Sequence, residues 1–339
     1  MRDRRNALLI FIVLCALCVV ALASFFYHAH RGSRARSEPL ASMPEGHGGS
    51  PQILVRYTGV DENYGRLAII DADAPDTPRF IENLSCDVVS FSAGSGVCLT
   101  ADRGVFTTYA VELFDQNFNP RRKLPLQGAP SRARVSPDGK LAGYTVFLSG
   151  HGYAALDFST QTSIIDIGTG EVLASLEGFA ITRDGQPIKA PDFNFWGVTF
   201  TPDSREFFCT HSTAGCHFLV KGNIAERRAA VLHENVECPS ASPDGSRVAY
   251  KKRFIIDGRI VWQLHILDLA TMRETPLAEK RSVDDQLEWL NNDEVLYSVS
   301  DSPDPAASSA TTNVWKAQAN GAGTPSLFIP KTYSPAVIR

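Results

Sequence analysis

The sequence predicts an all-β protein, a six-bladed β-propeller preceded by one N-terminal transmembrane helix. Three observations carry that prediction. A turn phrase recurs through the chain, a strand motif recurs between its copies with the same count, and a 21-residue stretch without a charge lies near the N-terminus.

The uncharged stretch runs from Ala7 to Tyr27. As a helix it spans about 31 Å, the thickness of a hydrocarbon core. Residues 1–6 then form a cytoplasmic tail. Arg2, Arg4 and Arg5 precede the stretch and Arg31, Arg34 and Arg36 follow it, so flanking charge does not orient it. Its place at the start of the chain favours export of everything downstream. Ala21-Leu22-Ala23 before Ser24 has the form of a signal-peptidase site. The apolar run continues through Phe25, Phe26 and Tyr27, which favours an uncleaved anchor. The expected location is the cytoplasmic (inner) membrane, single-pass, with the remainder on the extracytoplasmic side. Residues 28–50 are rich in Gly, Ser, Pro, Ala and Arg and read as a flexible stalk.

Residues 51–339 carry the repeats. Ser136-Pro137-Asp138-Gly139, Thr201-Pro202-Asp203-Ser204 and Ser242-Pro243-Asp244-Gly245 each lead into a short apolar run. Proline pre-sets φ at the first corner, Asp bonds to the local backbone, and Gly accepts a φ that other residues avoid. Weaker copies stand at Ser50-Pro51, at Ser92-Ala93-Gly94-Ser95 and at Leu290-Asn291-Asn292-Asp293. The second motif is an apolar strand ending at a polar residue. It occurs at 67–71, 111–115, 163–166, 218–221, 264–268 and 313–316. Six and six, at about 48 residues per unit, match a ring of four-stranded blades. The last strand, Tyr333 to Ile338, lacks downstream partners, and the first copy lacks an upstream strand; pairing them closes the ring. Asp138, Asp203 and Asp244 are equivalent by repeat and read as turn caps.

With these repeats, the chain resembles the TolB-like propellers over nearly all of residues 50 to 339. The resemblance implies a role in cell-envelope assembly or maintenance. In TolB itself an α/β domain precedes the propeller; here that place is taken by the stalk, so contacts made by that domain do not carry over.

Composition excludes some functions. The first 36 residues hold six Arg and one Asp, net +5; the whole chain is −4, which leaves −9 for the remainder. A mildly acidic ectodomain argues against a nucleic-acid surface. No Gly-x-Ser-x-Gly elbow or His-Glu-x-x-His helix occurs. No cofactor is expected, and the oligomeric state is left open.

Five cysteines follow the membrane segment. Cys209 and Cys216 flank six residues between adjacent strands and are expected to pair; Cys86 and Cys98 bracket the first degenerate turn and are candidates for a diagonal pair. Cys209, His211, Cys216 and His217 also have zinc-ligand chemistry, but their spacing fits no common zinc pattern, and no metal site is assigned. Asp61, Glu62, Asp284 and Asp285 lie in no calcium loop and read as solvated surface charge.

The spacing of the turns is uneven: 44, 65, 41 and 47 residues from Ser92 to Trp289. The surplus of the long unit falls in 148–161 and 178–192. Strand alternation puts both on one face, opposite the Ser-Pro-Asp-Gly turns and together with loops 58–65 and 300–311. Long loops on a rigid scaffold are where function concentrates. His151, Tyr153, Asp157, Arg183, Asp184, Lys189 and Asp192 are therefore the expected contact residues, with Trp196 just inside the channel mouth. Neither insertion is expected to contribute a strand. The expected function is a non-catalytic, membrane-anchored binding module for a protein or cell-envelope ligand. The alternative is a lactonase-like metalloenzyme, with Asp87, Asn194 and Glu237 converging in the channel.

Overall fold

Each Ser-Pro-Asp-Gly phrase closes a tight turn between the first and second strands of a blade. Asp138 Oδ1 accepts the Ser136 hydroxyl at 2.6 Å and the Lys140 N–H at 3.2 Å. Asp203 accepts Thr201 at 2.7 Å and Arg205 N–H at 3.2 Å. Asp244 does the same with Ser242 at 2.6 Å and Ser246 N–H at 2.9 Å. The three aspartates are thus turn caps, consumed by the backbone they fold. The residue after each is left-handed: φ is +70° at Gly139, +71° at Gly245 and +59° at Ser204, where only the glycines adopt it without strain. In the sixth copy Asn291 takes the Asp role, accepting Asp293 and Glu294 N–H at 2.7 and 2.9 Å.

The structure, a computed structural model, describes residues 50–149, 158–302 and 311–339, and before them positions 6, 17 and 20 alone. The expected anchor (apart from Leu17 and Val20), the stalk up to residue 49, and His151, Tyr153 and Asp157 lie outside the described residues. Among the described residues no helix is long and apolar enough to cross a membrane.

Six sheets form a six-bladed propeller. The innermost strands of blades 1 to 6 are Thr332–Ile338, Val88–Ser92, Ala129–Val135, Asn194–Phe200, Glu237–Ala241 and Glu288–Trp289. The six apolar motifs all fall on third strands: Arg66–Asp71, Thr107–Asp115, Ser159–Asp166, Cys216–Asn223, Arg259–Asp268 and Thr312–Gln318. Blade 1 is a composite. The last strand of the chain pairs antiparallel with Gln52–Tyr57, in a register that sets Gln52 against Ile338 and Tyr57 against Thr332.

The hydrophobic core is divided among the gaps between blades. Ile53, Ile70, Leu296, Val314 and Val337 fill the gap between blades 6 and 1. Leu54, Ile69, Phe91, Phe114 and Ala336 fill the next. Alternate residues of each strand face opposite gaps, so every blade is apolar on both faces. No blade can bury its surface alone, and the closed ring is the unit of stability.

Two expectations are corrected. The segment 178–192 does contribute strands. Ala180–Arg183 lies parallel to Arg228–Glu234, the outer strand of blade 4, and Gln186–Pro187 folds back on it, giving a six-stranded sheet. The physical reason is burial: Phe179 and Ile181 enter the core with Phe207, Val220 and Ala229. The added strand also covers an edge that a propeller blade otherwise leaves open.

The second correction is the disulfide. Cys86 and Cys98 are bonded, with Cα atoms 5.4 Å apart, whereas Cys209 and Cys216 are free thiols. The strands around the latter pair continue to a two-residue turn at Ala214-Gly215. This sets Cys216 opposite Thr213 and Cys209 opposite Val220. Four residues of strand, about 13 Å, therefore separate them along the sheet, beyond the reach of a disulfide.

Deleting residues 331–339 should lower the unfolding temperature of the ectodomain by at least about 10 °C, because it removes the inner strand of blade 1 and opens two interblade cores. Thermal melts by circular dichroism check this; an unchanged melt refutes ring closure. Replacing both Cys86 and Cys98 by Ser should cost about 3 kcal/mol in denaturant titrations.

Candidate functional site at the loop-side mouth of the channel

The inner strands begin on the loop-rich face, and side chains near their starts line the channel mouth there. The mouth is a cavity of about 680 Å³ lined by Arg56, Asp87, Arg103, Arg132, Asp284 and Tyr333, with Tyr109 and Phe147 on its walls. Arg132 reaches it because it sits at the i−2 position to Arg134 on the inner strand of blade 3, so both arginines point into the channel. From there they cross to blade 6, which stands opposite in a six-membered ring.

The charges are arranged in two groups. In one, the Asp87 carboxylate lies 3.2 Å from Arg103 and 3.7 Å from Arg56. In the other, Arg132 Nη2 donates to the Asp284 backbone oxygen and Oδ1, both at 3.2 Å, and Lys251 Nζ donates to the same Oδ1. Lys251 is fully buried, 3.8 Å from Glu237 Oε2 and 4.4 Å from the Trp262 ring centre. Trp262 Nε1 donates to Glu237 Oε1 at 3.1 Å.

Burial opposes ionisation of Asp284, but Lys251 and Arg132 outweigh it and hold the carboxyl below its ordinary value. About a third of the Asp284 side chain still faces the water of the mouth. Burial likewise works against charge on Lys251, and Asp284 beside it holds the amine above its ordinary value. Glu237 is raised by burial against the pull of Lys251. Tyr333 is pushed up to about 12 by burial.

Of the expected contact residues, the five described ones do not line this mouth. Arg183 lies on the added hairpin, paired with Glu234 and 5.2 Å over the Phe218 ring, so it fastens the hairpin to blade 4. Asp184 is exposed at the tip of the hairpin, with φ of +51°. Lys189 is exposed on the return segment. Asp192 accepts the Thr213 hydroxyl and Ala214 N–H, both at 2.6 Å, and fixes the neighbouring turn. Trp196 is not at the mouth. It is fully buried in a cluster with Phe147, Cys238 and Trp262.

The residues of the metalloenzyme alternative do not converge. Asp87 is held by two arginines, Asn194 turns away to accept Thr160 N–H at 2.9 Å, and Glu237 lies beneath Lys251. Asp284 and Asp285, expected on the solvated surface, stand in the channel instead; Asp285 is buried and accepts Ser298 N–H at 2.8 Å. The signal in the sequence that could have found this mouth is the Arg132/Arg134 pair, two charges at i and i+2 on an otherwise inward strand. Asp284 had no such signal, because the inner strand of blade 6 is only two residues long.

Of the zinc-type quartet, Cys209 lies in the core between blades 3 and 4, while His211 packs between Phe193 and Phe195, at 4.5 and 4.7 Å. His217 Nε2 faces Arg253 at 3.0 Å. Among the described residues no three His, Cys, Asp or Glu side chains form a metal-binding group.

No protein-family model and no curated protein matches this sequence. Among solved structures, TolB from Acinetobacter baumannii is similar with a TM-score of 0.56 and 18% identity, over 85% of this chain and 67% of that one. The fold is that of a TolB-like six-bladed propeller. A putative TolB from Agrobacterium tumefaciens gives 0.48 and 9%, over 84% and 91% of the two chains. A structure of the nidogen/laminin complex gives 0.51 and 11%, over 85% and 98%. Matches at identities this low show the fold alone, and the charged mouth is read from this chain's own residues.

Burial lowers His211 to about 4, and burial with the nearby Arg253 does the same to His217. A folded-state value below the unfolded one means the unfolded chain binds more protons between those values, so stability is lost as pH falls from about 6.5 toward 4. His211→Phe should therefore reduce the fall in melting temperature between pH 6.5 and 4.5. Parallel melts of both proteins across that range test it; identical slopes count against a buried neutral His211.

Proposed function

We propose that this chain is a non-catalytic binding module, anchored in the cytoplasmic membrane by Ala7 to Tyr27, whose extracytoplasmic propeller holds a protein or cell-envelope ligand at the loop-side mouth. The observation that carries this reading is the charge pairing of the mouth. Asp87 is engaged by Arg56 and Arg103, and Asp284 by Arg132 and Lys251. Lys251 and Arg132 hold the Asp284 carboxyl below its ordinary value against the effect of burial, which makes it a poor proton acceptor. Such groups serve recognition instead: they set orientation and association rate for a partner of complementary charge. The fully exposed hairpin tip at Val105 and Phe106, next to Arg103, supplies apolar contact area beside them. The TolB-like fold agrees with a binding role.

Arg103 is exposed on a hairpin, so Arg103→Glu should leave the fold intact while reversing charge at the mouth. Cross-linking the anchored protein in membranes, then comparing partners of the parent and Arg103→Glu, tests the reading. Loss of the parent's partners supports it; an unchanged set rules the mouth out as the contact surface. Carbonate washing should leave the protein in the membrane pellet, and a soluble form beginning at Ser24 refutes the anchor.

A further inference from the structure

Arg56 lines the loop-side mouth with its donors unused. It stands near the end of Gln52–Tyr57, opposite Leu67 on one side and Tyr333 on the other. Its side chain is only 13% exposed, yet its buried Nε has no hydrogen-bond partner among the described residues. The Asp87 carboxylate lies 3.7 Å from Nη2, an ion pair too long for a hydrogen bond. That carboxylate accepts from Arg103 Nη2 at 3.2 Å instead. What holds the Arg56 guanidinium in place is the Tyr64 ring, whose centre is 4.9 Å from its carbon. Such a contact orients the group and leaves its N–H donors unfilled.

A buried donor without an acceptor is costly, and native proteins keep few of them. Tyr333 supplies a second donor at the same mouth: burial keeps its phenol protonated, and its hydroxyl makes no hydrogen bond among the described residues. The charges also leave an opening for an anion. Arg56, Arg103 and Arg132 line the mouth against Asp87 and Asp284, with no other charged side chain in the described lining. Further in, Lys251 and Arg253 balance Glu237 and the buried Asp285. One positive charge is left over, beside a guanidinium without an acceptor.

We propose that Arg56 is the seat for a single carboxylate of a partner polypeptide, an acidic side chain that enters the mouth and accepts from the guanidinium and from the Tyr333 hydroxyl. The inference rests on the reading of this mouth as the contact surface, and it names the group recognised there. A guanidinium fork matches the two oxygens of a carboxylate, and the bonds so formed are charge-assisted. A dianion suits the site less, because Asp87 and Asp284 in the same lining repel a second negative charge. At about 680 Å³ the mouth has room for a side chain and the backbone that carries it.

The probe is acetyl-Ala-Ala-Glu-Ala-Ala-amide, titrated by calorimetry into the full chain in non-ionic detergent and compared with the same peptide carrying Gln in place of Glu. We expect the Glu peptide to saturate with a dissociation constant of about 1 mM or below, and the Gln peptide to bind about tenfold more weakly or worse. Arg56→Gln should abolish that preference. Asp87→Asn removes a competing carboxylate and should tighten the Glu peptide about threefold or more, a gain that a damaged fold does not produce. Equal binding of the two peptides by the parent overturns the proposal, as does an Arg56→Gln protein that still prefers Glu or an Asp87→Asn protein that binds the Glu peptide no tighter. A phosphoserine peptide that binds tighter than the Glu peptide overturns the choice of a carboxylate. An acetylated penta-alanine with a free carboxyl end that binds tighter overturns the choice of a side chain. Each of these failures leaves the partner comparison with Arg103→Glu untouched, so the mouth as a contact surface is judged separately.

Discussion

Everything in this molecule rests on the pairing of Thr332–Ile338 with Gln52–Tyr57. A propeller blade is apolar on both faces, so an open ring leaves two such faces in water. Closure buries Ile53, Val55, Ala336 and Val337 against blades 6 and 2 at once. It also draws the two ends of a nearly 300-residue domain into one sheet. Ser334 carries the join to the next blade: its hydroxyl bonds both the N–H and the carbonyl of Val89, each at 3.1 Å. Shear between blades 1 and 2 would have to break these bonds as well as the apolar contact.

The closed ring leaves a channel, and the channel is where the polar design lies. Blade 6 has an inner strand of only two residues, so the preceding segment is freed from its sheet. Asp285 replaces the missing backbone acceptor for Ser298, and Gln286 ties the segment to blades 4 and 5. The same short segment carries Asp284 to one mouth and Glu288 to the other, where Arg132 and Arg134 of the opposite blade meet them. Two cross-channel ion pairs thus brace the ring along its axis. They are sheltered from water and salt more than a surface pair is, and breaking one leaves a poorly solvated charge. The mouths differ in their lining: Arg56, Arg103 and Arg132 with Asp87 and Asp284 at the starts of the strands, and Arg134 and Arg339 on Glu288 within a rim of prolines at the ends.

The insertion between blades 3 and 4 illustrates a different economy of structure. Its extra length is not a free arm. It is spent on a parallel strand that seals the outer edge of blade 4, with Arg183 paired to Glu234 and Asp192 tying down the turn at Ala214. Polar residues on a long loop are as readily used to hold that loop as to meet a ligand. The side chains that shape the loop-side mouth come instead from the inner strands and their starts, from a short hairpin at Arg103 and from the irregular segment that carries Asp284.

The sequence by itself determined the number of blades, the turns, the third strands and the closure, because each follows from local chemistry repeated at a fixed spacing. Proline and aspartate at 137–138, 202–203 and 243–244 specify their turns whatever surrounds them. The Arg132/Arg134 alternation is also present in the sequence, but nothing local to it marks a charged channel wall. Tertiary structure alone decided what those arginines meet, since Asp284 and Glu288 lie 152 and 154 positions away, the first on an irregular segment and the second on a strand of two residues. It decided that Cys86 and Cys98 pair while Cys209 and Cys216 do not, a matter of strand register that spacing does not reveal. It turned 178–192 from loop into strand, because burial of Phe179 and Ile181 depends on a gap between blades that exists only once the ring has closed.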